Sequence, residues 1–274
     1  MRAYRIFVAV EVLTPRTLEE ALRLKAERPE ARPIAGGTDL LVELNFDRTR
    51  PETILNLAEV PELKAWSRED GSVRLGAGLT YAEAMRAPLA ELLPALAEAS
   101  RTVGSPQIRN RGTIGGNLGT ASPAGDALPP LLIEGAEVEV ASVRGERLLP
   151  LEQFLVGVKR TALEPDELIV AARVRVPGDG GRETFMKVGP RNAMVIAVVS
   201  LAVRADLQRG ELRAAFGSAA PVPTLVRAAL AESGGFPELV AGTASPIDDV
   251  RGTAAYRRHA LRVLTERAVE RCLS

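Results

Sequence analysis

The stretch Gly112-Thr113-Ile114-Gly115-Gly116-Asn117-Leu118-Gly119-Thr120-Ala121-Ser122-Pro123-Ala124-Gly125-Asp126 decides how the rest of the chain is read. Glycine gives up more backbone freedom on ordering than any other residue, so a run this rich in it is costly as helix or regular strand. What such a run offers is bare backbone, with amides able to come close to something large and polar. Thr113, Asn117, Thr120 and Ser122 add side-chain donors, and Asp126 adds an acceptor. That surface suits a phosphate or a heteroaromatic ring with polar edges. The plain alternative is an ordinary glycine-rich connection.

A second glycine pair lies upstream. Arg32-Pro33-Ile34-Ala35-Gly36-Gly37-Thr38-Asp39-Leu40-Leu41-Val42-Glu43-Leu44 reads as a short strand, a turn, and a helix capped by Thr38 or Asp39. A glycine turn feeding a helix favours anions, because free amides and the helix dipole both attract negative charge. Before it, Phe7–Leu13 reads as a strand, and Thr17 with Glu20 as the capping box of a helix. Pro51–Leu57 then reads as a strand that completes a small α/β unit.

Beyond Ala58 the pattern becomes α+β with antiparallel hairpins. Strands are expected over Ser72–Ala77, Glu137–Ser142, Arg147–Pro150 and Leu168–Val176. Thr80 and Glu83 cap a helix starting at Tyr81, and another covers Leu89–Val103. Pro177-Gly178-Asp179-Gly180-Gly181 is the most linker-like segment. After it come strands at Thr184–Lys187, Ala193–Ala205 and Leu212–Ser218, then helices over Thr224–Glu232 and Gly252–Leu273.

Composition removes several function classes. Thirty-five basic and 35 acidic residues give zero net charge, and aromatics are only 4%, which argues against a nucleic-acid surface or polybasic membrane contact. No apolar run approaches the roughly 18 residues of a membrane helix, and no secretory signal is visible, so a cytoplasmic setting is expected. The one cysteine, Cys272, excludes an internal disulfide and an iron–sulfur cluster held by this chain alone. The one histidine, His259, sits in a charged helical stretch, which leaves a Ser–His–Asp triad unsupported. There is no Walker A loop, and Gly76-Ala77-Gly78-Leu79-Thr80-Tyr81 lacks the third glycine of a Rossmann fingerprint. Two glycine loops converging on one ligand fit a dinucleotide; the residues alone do not choose among FAD, NAD and coenzyme A.

At these loops the chain resembles the flavin-binding medium subunit of the molybdenum hydroxylases, the family of xanthine dehydrogenase, aerobic carbon monoxide dehydrogenase and 4-hydroxybenzoyl-CoA reductase. Ala35-Gly36-Gly37-Thr38-Asp39-Leu40 looks like the family's first FAD loop. Thr113-Ile114-Gly115-Gly116-Asn117, running on to Ala121-Ser122-Pro123-Ala124-Gly125-Asp126, looks like the second. Lys187-Val188-Gly189-Pro190-Arg191 and Asp249–Arg258 extend the match over nearly the whole chain. The benzoyl-CoA reductase branch differs, because its flavin subunit carries an extra cysteine-bound cluster.

The resemblance implies an α+β fold with a two-part FAD-binding domain of the PCMH/VAO type. A small α/β subdomain (1–57) and a larger α+β subdomain (58–177) would precede a C-terminal antiparallel sheet with helices (182–274). Pro33, Ile34, Ala35, Gly36, Gly37, Thr38, Asp39 and Leu40, with Thr113, Ile114, Gly115, Gly116 and Asn117, would hold the pyrophosphate and its neighbours. Thr120 and Asp126 would sit beside the flavin end, with Lys187 nearby and Ile169 packing on the ring, unless Ile169 is simply strand core. A lysine there favours the anionic reduced ring, and Asp126 opposes it unless it accepts a hydrogen bond. The implied role is an electron-transfer subunit of a heterotrimeric oxidoreductase. Its partners would be a molybdopterin-binding large subunit and a [2Fe–2S] small subunit, with NAD, a quinone or oxygen as external acceptor. Two other readings are a free-standing reductase of the enolpyruvyl-glucosamine type, which the C-terminal match disfavours, and a scaffold without flavin, which the intact glycines disfavour.

Overall fold

A computed structural model of the protein describes residues 10–69, 71–176 and 181–274. The first residues of the expected Phe7–Leu13 strand, and all of the expected linker but Gly181, lie outside the described residues. Three main sheets organise the chain. The first is parallel, with β1 (Glu11–Leu13), β2 (Arg32–Ile34) and β3 (Thr53–Asn56) in the order β1-β3-β2. Between β1 and β2 runs the helix Leu18–Glu27. Thr17 caps it by accepting from the Glu20 amide at 3.1 Å, while the Glu20 carboxylate reaches back to the Arg16 amide at 2.7 Å. The expected box is therefore displaced by one residue on its return side.

The second sheet is antiparallel. It comprises β4 (Trp66–Glu69), β5 (Ser72–Gly76), β6 (Glu137–Ser142) and β7 (Gly145–Pro150), plus β10 below, in the order β4-β5-β10-β6-β7. A small hairpin of β8 (Leu155–Gly157) and β9 (Arg160–Thr161) precedes β10 (Leu168–Arg175). β10 is central, paired on both sides, and its run Leu168–Ala172 is buried throughout. Such strands read as continuous apolar runs because both faces are covered. On β6, Glu139 is held by Arg74 at 2.7 Å and by Arg173 at 3.0 Å, so an acid in mid-sheet is neutralised by its neighbours.

The Thr80–Glu83 capping box is complete. The helix expected over Leu89–Val103 divides into Leu89–Leu92 and Pro94–Thr102, since Pro94 has no amide to donate back into a continuous helix. A larger departure lies in the opening stretch, where Ile114–Thr120 is a helix despite Gly115, Gly116 and Gly119. Thr113 caps it, and Ala121 ends it at φ 45°. The conformational cost of glycine is offset by close packing that only glycine permits, as the site below shows.

The third sheet is an antiparallel meander of β11 (Gly181–Val188), β12 (Val199–Asp206), β13 (Glu211–Gly217) and β14 (Thr224–Ala229). Ala193–Val198 lies outside the strand expected to begin at Ala193. Thr224–Glu232, expected as a helix, is instead β14 followed by a 3-10 turn. Its alanines are good helix formers, but propensity is a small local term and the ladder to β13 overrides it. Phe236–Thr243, where no helix was expected, forms one with Pro237 in its first turn. The helix Ala254–Leu273 covers β12 through Leu261, Leu264, Ala268 and Cys272. Among the described residues no helix is long and apolar enough to cross a membrane.

One buried cation ties this last unit together. Arg257, 1% exposed, donates to the carbonyls of Val198 and Ser218 and pairs with Asp249 at 2.5 Å. Asp249 would keep Arg251, but the Val198 and Ser218 carbonyls would lose their donor, so we predict that Arg257→Leu costs about 2–3 kcal/mol, the range for orphaned buried acceptors. Urea unfolding measures this, and a loss under about 1 kcal/mol would show that the sheet and helix hold without it.

Candidate functional site

A cleft of about 440 Å³ opens where the parallel sheet meets the five-stranded sheet, within the usual range for small-molecule sites. The chain from Pro29 to Leu40 lines it without a break, and Gly78, Thr113, Gly116, Asn117, Gly119, Thr120 and Ile169 face it from the other side.

The two glycine loops touch each other. A Cβ on Gly36 would overlap the carbonyl of Arg111, so these backbones meet at a distance no side chain allows. Gly115 packs in the same way on Ala77, where a Cβ would come within 2.5 Å of the alanine methyl. Its amide donates to the Ala77 carbonyl at 2.8 Å, the Ile114 amide to Leu79 at 2.9 Å, and the Gly116 amide to Thr113 Oγ1 at 2.9 Å. The first amides of this helix are thus engaged inside the protein.

The first loop is the opposite case. Among the described residues the amides of Gly36, Gly37, Thr38 and Asp39 donate to no protein acceptor. Gly37 adopts φ +77°, which favours glycine, and starts the turn into the helix Leu40–Asn45. Asp39 is the N-cap residue, but its side chain makes no capping bond. It accepts from Thr120 Oγ1 at 2.9 Å instead, and Glu43 takes Lys159 at 2.8 Å, so side chains bridge the two walls twice.

Most of the expected site residues come together here. Pro33 to Leu40, Thr113, Gly115, Gly116, Asn117, Thr120 and Ile169 all line the cleft. Ile114 lies beneath it in the core, and Asp126 and Lys187 stand outside its lining. These two pair with each other at 2.5 Å, with side chains 8% and 6% exposed, and Lys187 also donates to the Thr102 carbonyl. Burial pushes the Asp126 carboxyl above the usual carboxylate range, opposed by the Lys187 charge and hydrogen bond. Asp126 is thus the acceptor of a hydrogen bond, and neither group is a free charge.

The sequence reading missed Tyr81, Gly119 and Lys159 among the lining residues. Tyr81 follows directly on the capping box at Thr80, a signal that was available. Its buried hydroxyl is pushed above the ordinary phenol range by burial, then by Asp126 and Asp39. Lys159, in the β8–β9 turn at φ 54°, carries no such signal. His259 is exposed and Cys272 is core, its thiol pushed up to about 11 by burial.

Residues 8–178 match the model of the FAD binding domain in molybdopterin dehydrogenase, and residues 184–272 match that of the CO dehydrogenase flavoprotein C-terminal domain. The chain belongs to this family of flavin subunits. It is 32% identical to a putative xanthine dehydrogenase FAD-binding subunit of Escherichia coli (strain K12), covering 94% of each chain. It is 30% identical to the carbon monoxide dehydrogenase medium chain of Afipia carboxidovorans, again over 94% of each. A solved structure of carbon monoxide dehydrogenase from Hydrogenophaga pseudoflava superimposes with a TM-score of 0.90 at 25% identity, over 96% of this chain and 97% of that one.

The flavin subunit's cofactor is FAD, and the residues present suit it. Four adjacent free amides at a helix start suit a diphosphate. Gly116 and Gly119 leave the wall of their helix bare, and Ile169 offers an apolar surface beside Gly119. Asn117 Oδ1 is buried without a donor, which suits a hydroxyl or ring N–H but not a phosphate oxygen.

The Lys187–Asp126 pair yields a double-mutant test. Lys187→Met leaves a buried carboxyl without its cation and is expected to cost about 3–5 kcal/mol at neutral pH. Adding Asp126→Asn removes the orphaned charge and restores part of that loss. Denaturant unfolding of both single variants and the double measures the coupling; simple additivity would show that the two residues act independently.

Proposed function

We propose that this subunit is the electron outlet of a heterotrimeric molybdenum hydroxylase. A molybdopterin-binding large subunit and a [2Fe–2S] small subunit would supply the electrons, and NAD, a quinone or oxygen would receive them. The division of labour would follow residues 1–57 and 58–177 for binding FAD and 182–274 for closing the flavin end. When bound, FAD supplies the redox chemistry, taking up electrons singly and giving up a pair. The protein's part is to bind, orient and shield.

The observation that carries this reading is the row of free amides from Gly36 to Asp39 facing a cleft whose other wall is glycine. Those amides would hold the diphosphate, with Thr38 and the helix Leu40–Asn45 adding to the favourable field. Asn117 would accept from the polyol or the ring edge. Ile169 would pack against the ring. Thr120, fixed by Asp39, and Lys159, fixed by Glu43, would keep the two walls at one spacing.

The lone cysteine supports placing the clusters on another chain. Names of relatives add to this: a nicotine 6-hydroxylase medium subunit and a 6-hydroxypseudooxynicotine dehydrogenase complex subunit alpha each match at 32% identity over 94–95% of this chain. The oxidised substrate is then chosen elsewhere in the complex.

Gly116→Val tests the site. Gly116 lines the cleft, and a Cβ there meets no core atom, only its own cap Thr113 Oγ1 at 2.9 Å, which must shift slightly. The variant should fold, with unchanged far-ultraviolet circular dichroism, yet release its yellow FAD on gel filtration. Stoichiometric flavin in the purified variant would overturn the assignment of this wall. Co-expression with genes for a molybdopterin-binding and a [2Fe–2S] subunit from the same genome should recover a three-component complex; a flavin subunit that purifies alone from such cells would count against the heterotrimer.

A further inference from the structure

The seam between the FAD-binding part and the C-terminal sheet buries two acids side by side. Glu183 and Arg204 face each other across the β11–β12 ladder, so their side chains share one face. Arg204 reaches from there to the carboxylate of Glu134, which ends the helix Leu128–Ile133. Glu183 Oε1 accepts the Ala95 amide at 2.8 Å, in the first turn of the helix Pro94–Thr102. That leaves one oxygen on each acid, Glu134 Oε1 and Glu183 Oε2, buried and without a donor. The two side chains lie within hydrogen-bond reach of each other.

Two buried carboxylates this close cannot both ionise, and an orphaned acceptor on each is costly. A single hydrogen placed between them satisfies both oxygens at once. We propose that Glu134 and Glu183 share one proton at neutral pH, forming a carboxylic acid–carboxylate clamp that seats the C-terminal sheet on the FAD-binding part. The proton belongs to Glu183, because Arg204 bonds the Glu134 carboxylate directly.

The surrounding charges agree with that placement. Arg213 adds positive field at Glu134, and Asp206 on β12 is held by Arg204 at 3.4 Å. Glu98, on the helix Pro94–Thr102, accepts from Thr184 and from the Phe185 amide and pairs with Arg271 at 2.7 Å. Cys272 keeps its thiol proton. Among the described residues no cation hydrogen-bonds Glu183; Arg204, the cation opposite it, bonds Glu134 and Asp206 through its terminal nitrogens, and its Nε is buried without an acceptor. Burial first, then Glu134, accordingly holds the Glu183 carboxyl well above the usual carboxylate range.

The sign of the consequence follows. A carboxyl whose pKa is raised by folding binds its proton more tightly in the native state. Its contribution is complete below the ordinary carboxylate range and is lost as pH rises toward the folded value. Each proton held only by the native state makes the unfolding constant climb about tenfold per pH unit across that window.

The test uses the full-length chain with its FAD. Infrared spectra at neutral pH should contain a protonated-carboxyl carbonyl band that Glu183→Gln removes. Denaturant unfolding from pH 5 to 8 should show the one-proton slope in the wild type and a flatter slope in Glu183→Gln, whose amide donates to Glu134 without titrating. Glu134→Gln, should Glu183→Gln not fold, is expected to lose the same band, since its amide can donate to an ionised Glu183. A neutral-pH spectrum whose carboxyl band is absent or persists in both variants, or a pH slope that Glu183→Gln leaves unchanged, would overturn the clamp.

Discussion

The contact on which the rest of the site depends is backbone against backbone, Gly36 on the carbonyl of Arg111. It brings a loop from the parallel sheet and a loop before the helix Ile114–Thr120 to the closest approach that polypeptide permits. It also separates the roles of the glycines. Gly36 and Gly115 are bare so that protein can pack on protein, at Arg111 and at Ala77. Gly116 and Gly119 are bare on the side that faces the cleft. A glycine helix is poor by propensity, but this one replaces lost propensity with two engaged amides, a threonine cap and close contact with the strand end at Ala77.

That distinction explains what was legible in the sequence. The glycine pairs and their order marked the site, because few other demands on a chain call for bare backbone twice. The sequence could not say which glycines face ligand, since packing partners such as Arg111 and Ala77 are set by the fold. The reading of Gly112–Asp126 as unsuited to helix failed over Ile114–Thr120 for the same reason: propensity is a local sum, and here tertiary contacts outweigh it. Thr224–Ala229 failed in the other direction, an alanine-bearing segment drawn into a ladder beside β13. Capping signals did better, because Thr17 and Thr80 act within a single turn.

The placement of Asp126 and Lys187 shows a second limit. The family resemblance implied a place near the flavin end for both, and the structure puts them in contact with each other. Pairing changes what either can do. An isolated lysine would act on a flavin as a full charge, whereas a buried lysine locked on a carboxylate acts as a dipole whose field falls off faster with distance.

β11 gathers these features into one element. Its residues alternate in allegiance: Met186 and Val188 pack with the C-terminal core, while Phe185 belongs to the core of the FAD-binding part. On that second face Glu183, Phe185 and Lys187 run along the helix Pro94–Thr102, meeting the Ala95 amide, Glu98 through the Phe185 backbone, and the Thr102 carbonyl in turn. One end of the seam is closed by an ion pair and the other by two acids beside one arginine. An ion pair is insensitive to pH near neutrality, but an acid pair needs its proton. The strand that carries Lys187 is therefore held at one end by charge and at the other by hydrogen bonding.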